Sequence, residues 1–157
     1  MTHVFMEHDD MIDKFDGDYA WLSNFYPVVV HLHGINFPTV EHAFVAAKTK
    51  NYMDRMLIAA LDAKDAGRAK IRGRKFELRD DWEEVKVSIM RQLLMQKFSY
   101  AELRKKLLAT GDRTLLEGNY WHDNFWGSCF CDRQAACKYH GKNMLGKLIM
   151  EVRDIIK

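Results

Sequence analysis

From Pro38 to Lys48 the chain reads Pro-Thr-Val-Glu-His-Ala-Phe-Val-Ala-Ala-Lys, which sets a carboxylate, an imidazole and an amine on the opening turns of one expected helix. Thr39 suits the N-cap, because its hydroxyl can accept a free backbone N–H of the next turn. Glu41 then falls in the first turn. Lys48 follows seven residues later on nearly the same face, roughly 10 Å along the axis. A lysine reaching back towards that glutamate leaves a gap the size of a sugar ring, which suits chemistry at an anomeric carbon. The helix dipole favours the carboxylate form of Glu41, so its expected role is a base or a stabiliser of developing positive charge. Lys48 is a candidate for a desolvated amine able to form a Schiff base. Each also has a plainer reading, a dipole-matched glutamate and a lysine snorkelling from an apolar helix face.

Three other stretches carry chemically useful side chains. Tyr120-Trp121-His122-Asp123-Asn124-Phe125-Trp126-Gly127 is dense in groups that stack and hydrogen-bond. It could hold a planar base on Trp126, with Asp123 reading a polar edge or assisting proton transfer. Ser23-Asn24-Phe25-Tyr26 can present an amide (Asn24) and an aromatic face (Phe25), or simply make a turn. Gly141-Lys142-Asn143 precedes an expected helix, where backbone N–H groups and Asn143 could meet a phosphate or form a tight helix entry. It lacks the glycine spacing and Lys-Ser/Thr ending of a Walker loop. Cys129, Cys131, Cys137 and His140 form C-x-C-x5-C-x2-H, which departs from the usual paired zinc spacing. These thiols read more simply as buried and redox-indifferent, and His31 with His33 is a weaker metal signal still.

The elements that must position these groups follow from pattern. Tyr26–Leu32 is valine-rich, and His33-Gly34 turns it back into Ile35–Phe37 as a hairpin. Helices are expected from Thr39, over Asn51–Ala60, and as a short piece within the basic stretch Lys64–Lys75. Trp82, Val85, Ile89, Leu93 and Phe98 mark the clearest amphipathic helix. Ser99-Tyr100-Ala101-Glu102 reads as a capping box opening a helix that stops at Gly111. Leu115–Glu117 reads as a short strand. The last helix spans about Asn143 to Ile156, with Leu145, Leu148, Ile149, Val152 and Ile156 inward. This is helix-dominated α+β with a small N-terminal sheet.

With 157 residues, 48% apolar and 12% aromatic, one ordered domain over 1–157 is expected. Residues 1–14 are its peripheral lead-in. No apolar run reaches the length of a membrane span, and the acidic N-terminus does not resemble a signal peptide. An odd count of three cysteines fits a reducing, cytoplasmic setting. Net charge is only +2, but its distribution is uneven. Glu7, Asp9, Asp10, Asp13, Asp16 and Asp18 stand against Lys14 alone. Lys64, Arg68, Lys70, Arg72, Arg74 and Lys75 stand against Asp65 alone, a cluster able to hold phosphates or a nucleic-acid backbone, or to form a solvated face.

Together these segments resemble the NADAR family, the YbiA-like N-glycosidases. The matching pieces run in order: Leu22–Pro27, Phe37–His42 through Lys48, Asp81-Trp82, Met90, Lys97-Phe98, Leu107–Gly111, Leu116-Glu117, Asp123, Trp126-Gly127, Gly141–Asn143, Leu145–Leu148, Met150 and Arg153. The resemblance implies cleavage of the bond between ribose C1′ and an exocyclic amine. It implies Glu41 as the essential carboxylate, Lys48 at the family's lysine and Asp123 as a further catalytic candidate. Asn24, Phe25, Trp82, Trp126 and Asn143 are then expected against substrate. Of the substrates that the resemblance implies, the basic Lys64–Lys75 cluster favours ADP-ribosylated guanine in nucleic acid or as a nucleotide. The alternative is an early riboflavin-pathway ribosylamino-pyrimidinone phosphate, and a non-catalytic ADP-ribose or NAD-binding module is the reading of another class. The route needs no metal or redox cofactor. The family often has glutamines four and six residues after the glutamate, where this chain has Val45 and Ala47.

Overall fold

The computed structural model describes residues 11–133, 137 and 141–157. Glu7, Asp9 and Asp10 of the acidic lead-in, and His140, lie outside them. In chain order the elements are β1 (Met11–Ile12), β2 (Val30–Leu32), β3 (Ile35–Phe37), α1 (Val40–Ala47), α2 (Tyr52–Ala59), α3 (Ala66–Gly73), α4 (Trp82–Lys97), α5 (Ala101–Ala109), β4 (Thr114–Leu115), β5 (Gly118–Asn119), β6 (Ser128–Cys129) and α6 (Met144–Ile156). Short 3-10 turns cover Gly17–Leu22 and Ala63–Asp65. The α+β class and the order of helices follow the sequence expectation. Among the described residues no helix is long and apolar enough to cross a membrane.

Two compact units emerge, one of Trp21–Leu103 and one of Met1–Ala20 with Arg104–Lys157. In the first, β2 and β3 pair antiparallel with Val30 opposite Phe37 and Leu32 opposite Ile35. His33 (φ 53°) and Gly34 (φ 77°) both take the left-handed conformation of a two-residue hairpin turn, which matches the twist of the strands. Val30, Leu32, Ile35 and Phe37 alternate inward and are buried. They pack with α1, which is also flanked by α2, α3 and α4. Of the α1 residues only Glu41 escapes full burial. A Cβ on Gly73 would overlap the Val45 side chain, so a glycine there lets α3 lie close against α1. Trp82 opens α4 with its ring 4.9 Å from that of Phe44. At the far end of α4, the Ser99 hydroxyl donates to Gln96 O at 2.5 Å, and α5 begins only at Ala101. Ser99 therefore closes the preceding helix, a use of the same side chain that the capping-box reading did not anticipate.

In the other unit, β1 pairs parallel with β4, bringing Ile12 opposite Leu115, and both are buried. Residues 11–12, expected in the peripheral lead-in, thus belong to the packed structure. β5 pairs parallel with β6 through Asn119 opposite Cys129. Helix α6 packs on β4 and buries Leu145, Leu148, Ile149 and Val152.

Candidate active site

The N-terminus of α1 is fixed by interlocking hydrogen bonds. Thr39 Oγ1 accepts from His42 N at 3.0 Å and lies 2.6 Å from His42 Nδ1. His42 Nε2 is 3.1 Å from Asp62 O. A carbonyl only accepts, so Nε2 carries the proton and Nδ1 takes the Thr39 hydroxyl proton. This assigns the neutral imidazole, and burial pushes the His42 pKa below its ordinary value. The neighbouring Glu41 N donates to Asn24 O at 3.0 Å, which ties the 23–26 loop to the helix entry.

Lys48 caps the other end of α1. Its carbonyl accepts from Arg79 N at 2.8 Å. Arg79 grips both carboxylate oxygens of Asp81, at 2.6 and 3.0 Å, a fork-to-fork pair that stiffens this segment. The Lys48 ammonium lies 5.9 Å from the centroid of Phe44, whose ring in turn packs on Trp82. Burial is the main cause that lowers the Lys48 pKa. Glu41 opposes it, and Lys70 and Arg74 add to it. The charge of Glu41 therefore bears on the Lys48 amine. The free-base fraction of the lysine is set by burial and by two cations one turn apart on α3.

The 23–26 loop is held from below. Lys97, fully buried, donates to Ser23 O at 2.7 Å and lies 5.8 Å from the Tyr26 ring centroid. The buried Asn24 donates through Nδ2 to Met90 Sδ at 3.7 Å. Its Oδ1 is buried and makes no hydrogen bond among the described residues, which marks it as an acceptor for a ligand donor. Phe25 is exposed. Trp82 is only 6% exposed and supports Phe44, one ring removed from Lys48.

The remaining sequence candidates lie in the other unit. Asp123 Oδ1 accepts from Phe125 N at 3.2 Å and Trp126 N at 3.0 Å, a side-chain-built turn. Trp126 is partly exposed and edge-on to Phe125, with centroids 4.8 Å apart. Asn143 sits left-handed (φ 49°) and buried. Its Oδ1 accepts from Glu117 N at 3.0 Å and its Nδ2 donates to Leu115 O at 2.8 Å. The N–H groups of residues 142–145 donate to the carbonyls of Asn124, Gly127, Phe125 and Trp126. Of the two readings of this segment, its backbone follows the tight helix entry.

Sequence reasoning did not single out Lys70 and Arg74 from the basic run, nor Lys97 and Arg79. Lys70 and Arg74 are four residues apart in or beside α3, a spacing that puts them on one face. The signal was present, but nothing in the sequence said that this face turns towards Lys48.

A half-buried amine with a lowered pKa on one helix with a carboxylate is a group able to add to an electrophilic carbon. The NADAR domain family matches residues 4–157. An N-glycosidase of Nostoc punctiforme is 37% identical over 147 residues, covering 88% of this chain and 86% of that protein. The Escherichia coli N-glycosidase YbiA is 36% identical over 138 residues, covering 87% of this chain and 81% of YbiA. A riboflavin biosynthesis protein of Vibrio vulnificus is 34% identical over 142 residues, 88% of this chain but only 36% of that protein. The NMR structure of E. coli YbiA superposes with a TM-score of 0.78 at 35% identity, covering 94% of this chain and 85% of YbiA. The chain belongs to the NADAR family.

Proposed function

We propose that this protein is an N-glycosidase that hydrolyses the bond between ribose C1′ and an exocyclic amine, with Glu41 and Lys48 as its catalytic pair. The observation that carries the proposal is the half-buried Lys48 amine on the same helix as Glu41, held below its ordinary pKa by burial, Lys70 and Arg74 against the opposing charge of Glu41. An N-ribosyl amine is an aminal and opens to a C1′ imine as the ring C1′–O4′ bond breaks and O4′ takes a proton. The Lys48 amine adds to C1′, a proton passes to the departing nitrogen, and the base leaves with its exocyclic amine restored. Water adds to the resulting lysine Schiff base, releasing the ribose C1′ as an aldehyde and regenerating Lys48. Glu41 shuttles protons and stabilises the iminium charge, aided by its place in the first turn of α1. A direct route, in which Glu41 activates water and Lys48 only binds, uses the same two groups.

The substrate we favour is ADP-ribosylated guanine. Lys70 and Arg74 supply positive charge beside Lys48, and Arg68 and Arg72 line a neighbouring cavity of about 310 Å³ with Leu61 and Ile71. Cations on both faces of α3 suit a pyrophosphate or a nucleic-acid strand better than a single phosphate. Asn24 Oδ1 and the exposed Phe25 ring are then the groups that meet the ligand from the 23–26 loop. The second reading, a ribosylamino-pyrimidinone phosphate of riboflavin synthesis, is favoured by the name of the Vibrio relative. The test is purified protein on both substrates side by side, with ADP-ribose released from the DNA and base released from the pyrimidinone quantified by chromatography. Faster release from ADP-ribosylguanine DNA supports the first substrate, faster release from the pyrimidinone supports the second, and binding without release from either refutes the enzyme.

A further inference from the structure

Outside that site, the structure gathers all three cysteines around one imidazole. His122 Nδ1 lies 3.2 Å from Cys131 Sγ, 3.3 Å from Cys137 Sγ and 3.8 Å from Cys129 Sγ. All four donor atoms fall within 4.8 Å of one another. The three thiols are buried and in no disulfide, and His122 is exposed. A ring nitrogen has one position in its plane for a hydrogen bond, so it cannot bond three sulfurs at once. Three sulfurs converging on it is the arrangement that a cation at their centre produces. For zinc with Zn–S of about 2.3 Å and Zn–N of about 2.05 Å, tetrahedral edges come to about 3.6 Å for N···S and about 3.8 Å for S···S. The observed N···S separations straddle the first figure.

The loop is built to deliver that imidazole. Asn119, buried, accepts through Oδ1 from Trp121 N and Asp123 N and donates through Nδ2 to Asp123 O, folding residues 119–123 into a closed turn. His122 stands within it at φ 69°, a left-handed conformation uncommon for a histidine. Asn124 Oδ1 accepts from Cys129 N at 2.9 Å, fastening the turn to β6. Cys131 N points at Cys129 Sγ at 3.4 Å, a backbone donor of the kind that supports a thiolate ligand.

We propose that His122, Cys129, Cys131 and Cys137 form a structural Zn²⁺ site that ties the 119–124 loop to Cys137. The ligand set is closed, three thiolates and one imidazole, so no position is left for substrate and the metal is structural. The three thiols bind as thiolates and give their protons to solvent, leaving a centre of net charge −1. The S₃N donor set selects zinc over the harder cations that prefer oxygen. His140, the last residue of the sequence spacing, lies outside the described residues, and His122 is the imidazole that the structure places against the three thiols.

The test is on the whole chain, expressed with Zn²⁺ in the medium. Elemental analysis should find about one zinc per chain, and Co²⁺ exchanged into the wild type should give the intense visible bands and thiolate-to-metal charge transfer of a tetrahedral S₃N centre. All three thiols should resist a disulfide reagent until a chelator is added. His122→Ala changes an exposed loop residue that can be lost without opening the core. It should weaken zinc retention by more than the roughly 10–100-fold that a change behind the ligands costs. A wild-type protein with no stoichiometric metal, or with a metal other than zinc, would overturn the proposal. So would thiols equally reactive with and without chelator, or a Co²⁺ spectrum identical in wild type and His122→Ala.

Discussion

Lys48 offers a test in which two perturbations of one lysine must act in opposite directions. Glu41→Gln removes the carboxylate but keeps the shape of the side chain. Loss of proton shuttling should lower kcat by about 10²–10⁴-fold, or about 2.7–5.4 kcal/mol of barrier at 1.36 kcal/mol per tenfold. The same change removes the one charge that favours the protonated amine, so the free-base form of Lys48 becomes easier to reach. The acid limb of kcat/KM, residual though the rate is, should therefore move to lower pH. The double change Lys70→Gln with Arg74→Gln removes the two cations that push the amine towards its neutral form. Its acid limb should move to higher pH, with KM raised if the same cations hold phosphate. Lys48→Arg, which keeps a charge that does not titrate, should lose the limb with the activity. The assay is release of ADP-ribose from ADP-ribosylguanine DNA, or of base from the pyrimidinone, across pH 5–10 for the four proteins, with borohydride added during turnover to reduce and trap any lysine Schiff base. Shifts of the same sign in Glu41→Gln and the double variant would refute the electrostatic account of Lys48. No substrate-dependent adduct on the wild-type lysine would refute the covalent route and leave the direct one.

His42 is held neutral with its pKa lowered, so its contribution to stability is whole above about pH 6.5 and is lost as the pH falls below that value. Urea unfolding between pH 7.5 and pH 5 should show this loss, at most about 1.4 kcal/mol per pH unit for one proton, and His42→Gln should remove it. Asn143→Ala breaks two buried backbone contacts and should cost about 2–4 kcal/mol by chemical denaturation. Its kcat/KM per folded molecule should stay near wild type if the amide only ties Leu115 to Glu117, whereas a lost KM at full stability would give the amide to the substrate. Lys97→Met should free the 23–26 loop from Ser23 O and raise KM more than it lowers kcat. An unchanged KM would show that the loop does not meet the ligand.

The helices were legible because their signals are local. Thr39 capping α1, the apolar spacing of α4 and the His33-Gly34 turn all act within a few residues. β1, β4, β5 and β6 are two residues long and pair across the chain, so no periodicity announces them. The pair Glu41 and Lys48 was readable as two charged positions on one helix face. That Lys48 is desolvated, and that Lys70 and Arg74 bear on it, depends on α3 lying close against α1 at Gly73 and Val45. Val45 and Ala47, where the family often has glutamines, are fully buried in that packing, so here the helix contributes core at those positions. The grouping of the cysteines with His122 was not legible for a related reason. Spacing suggests partners nearby in sequence, whereas His122 reaches them through a turn made by Asn119 and Asn124.

The most direct test of the central claim is single-turnover release of ADP-ribose from ADP-ribosylated guanine DNA, and of base from the ribosylamino-pyrimidinone, by wild type, Glu41→Gln and Lys48→Ala. The account predicts release by the wild type from at least one of them and a loss of at least about 100-fold in each variant, both remaining folded. Release undiminished in both variants would contradict it.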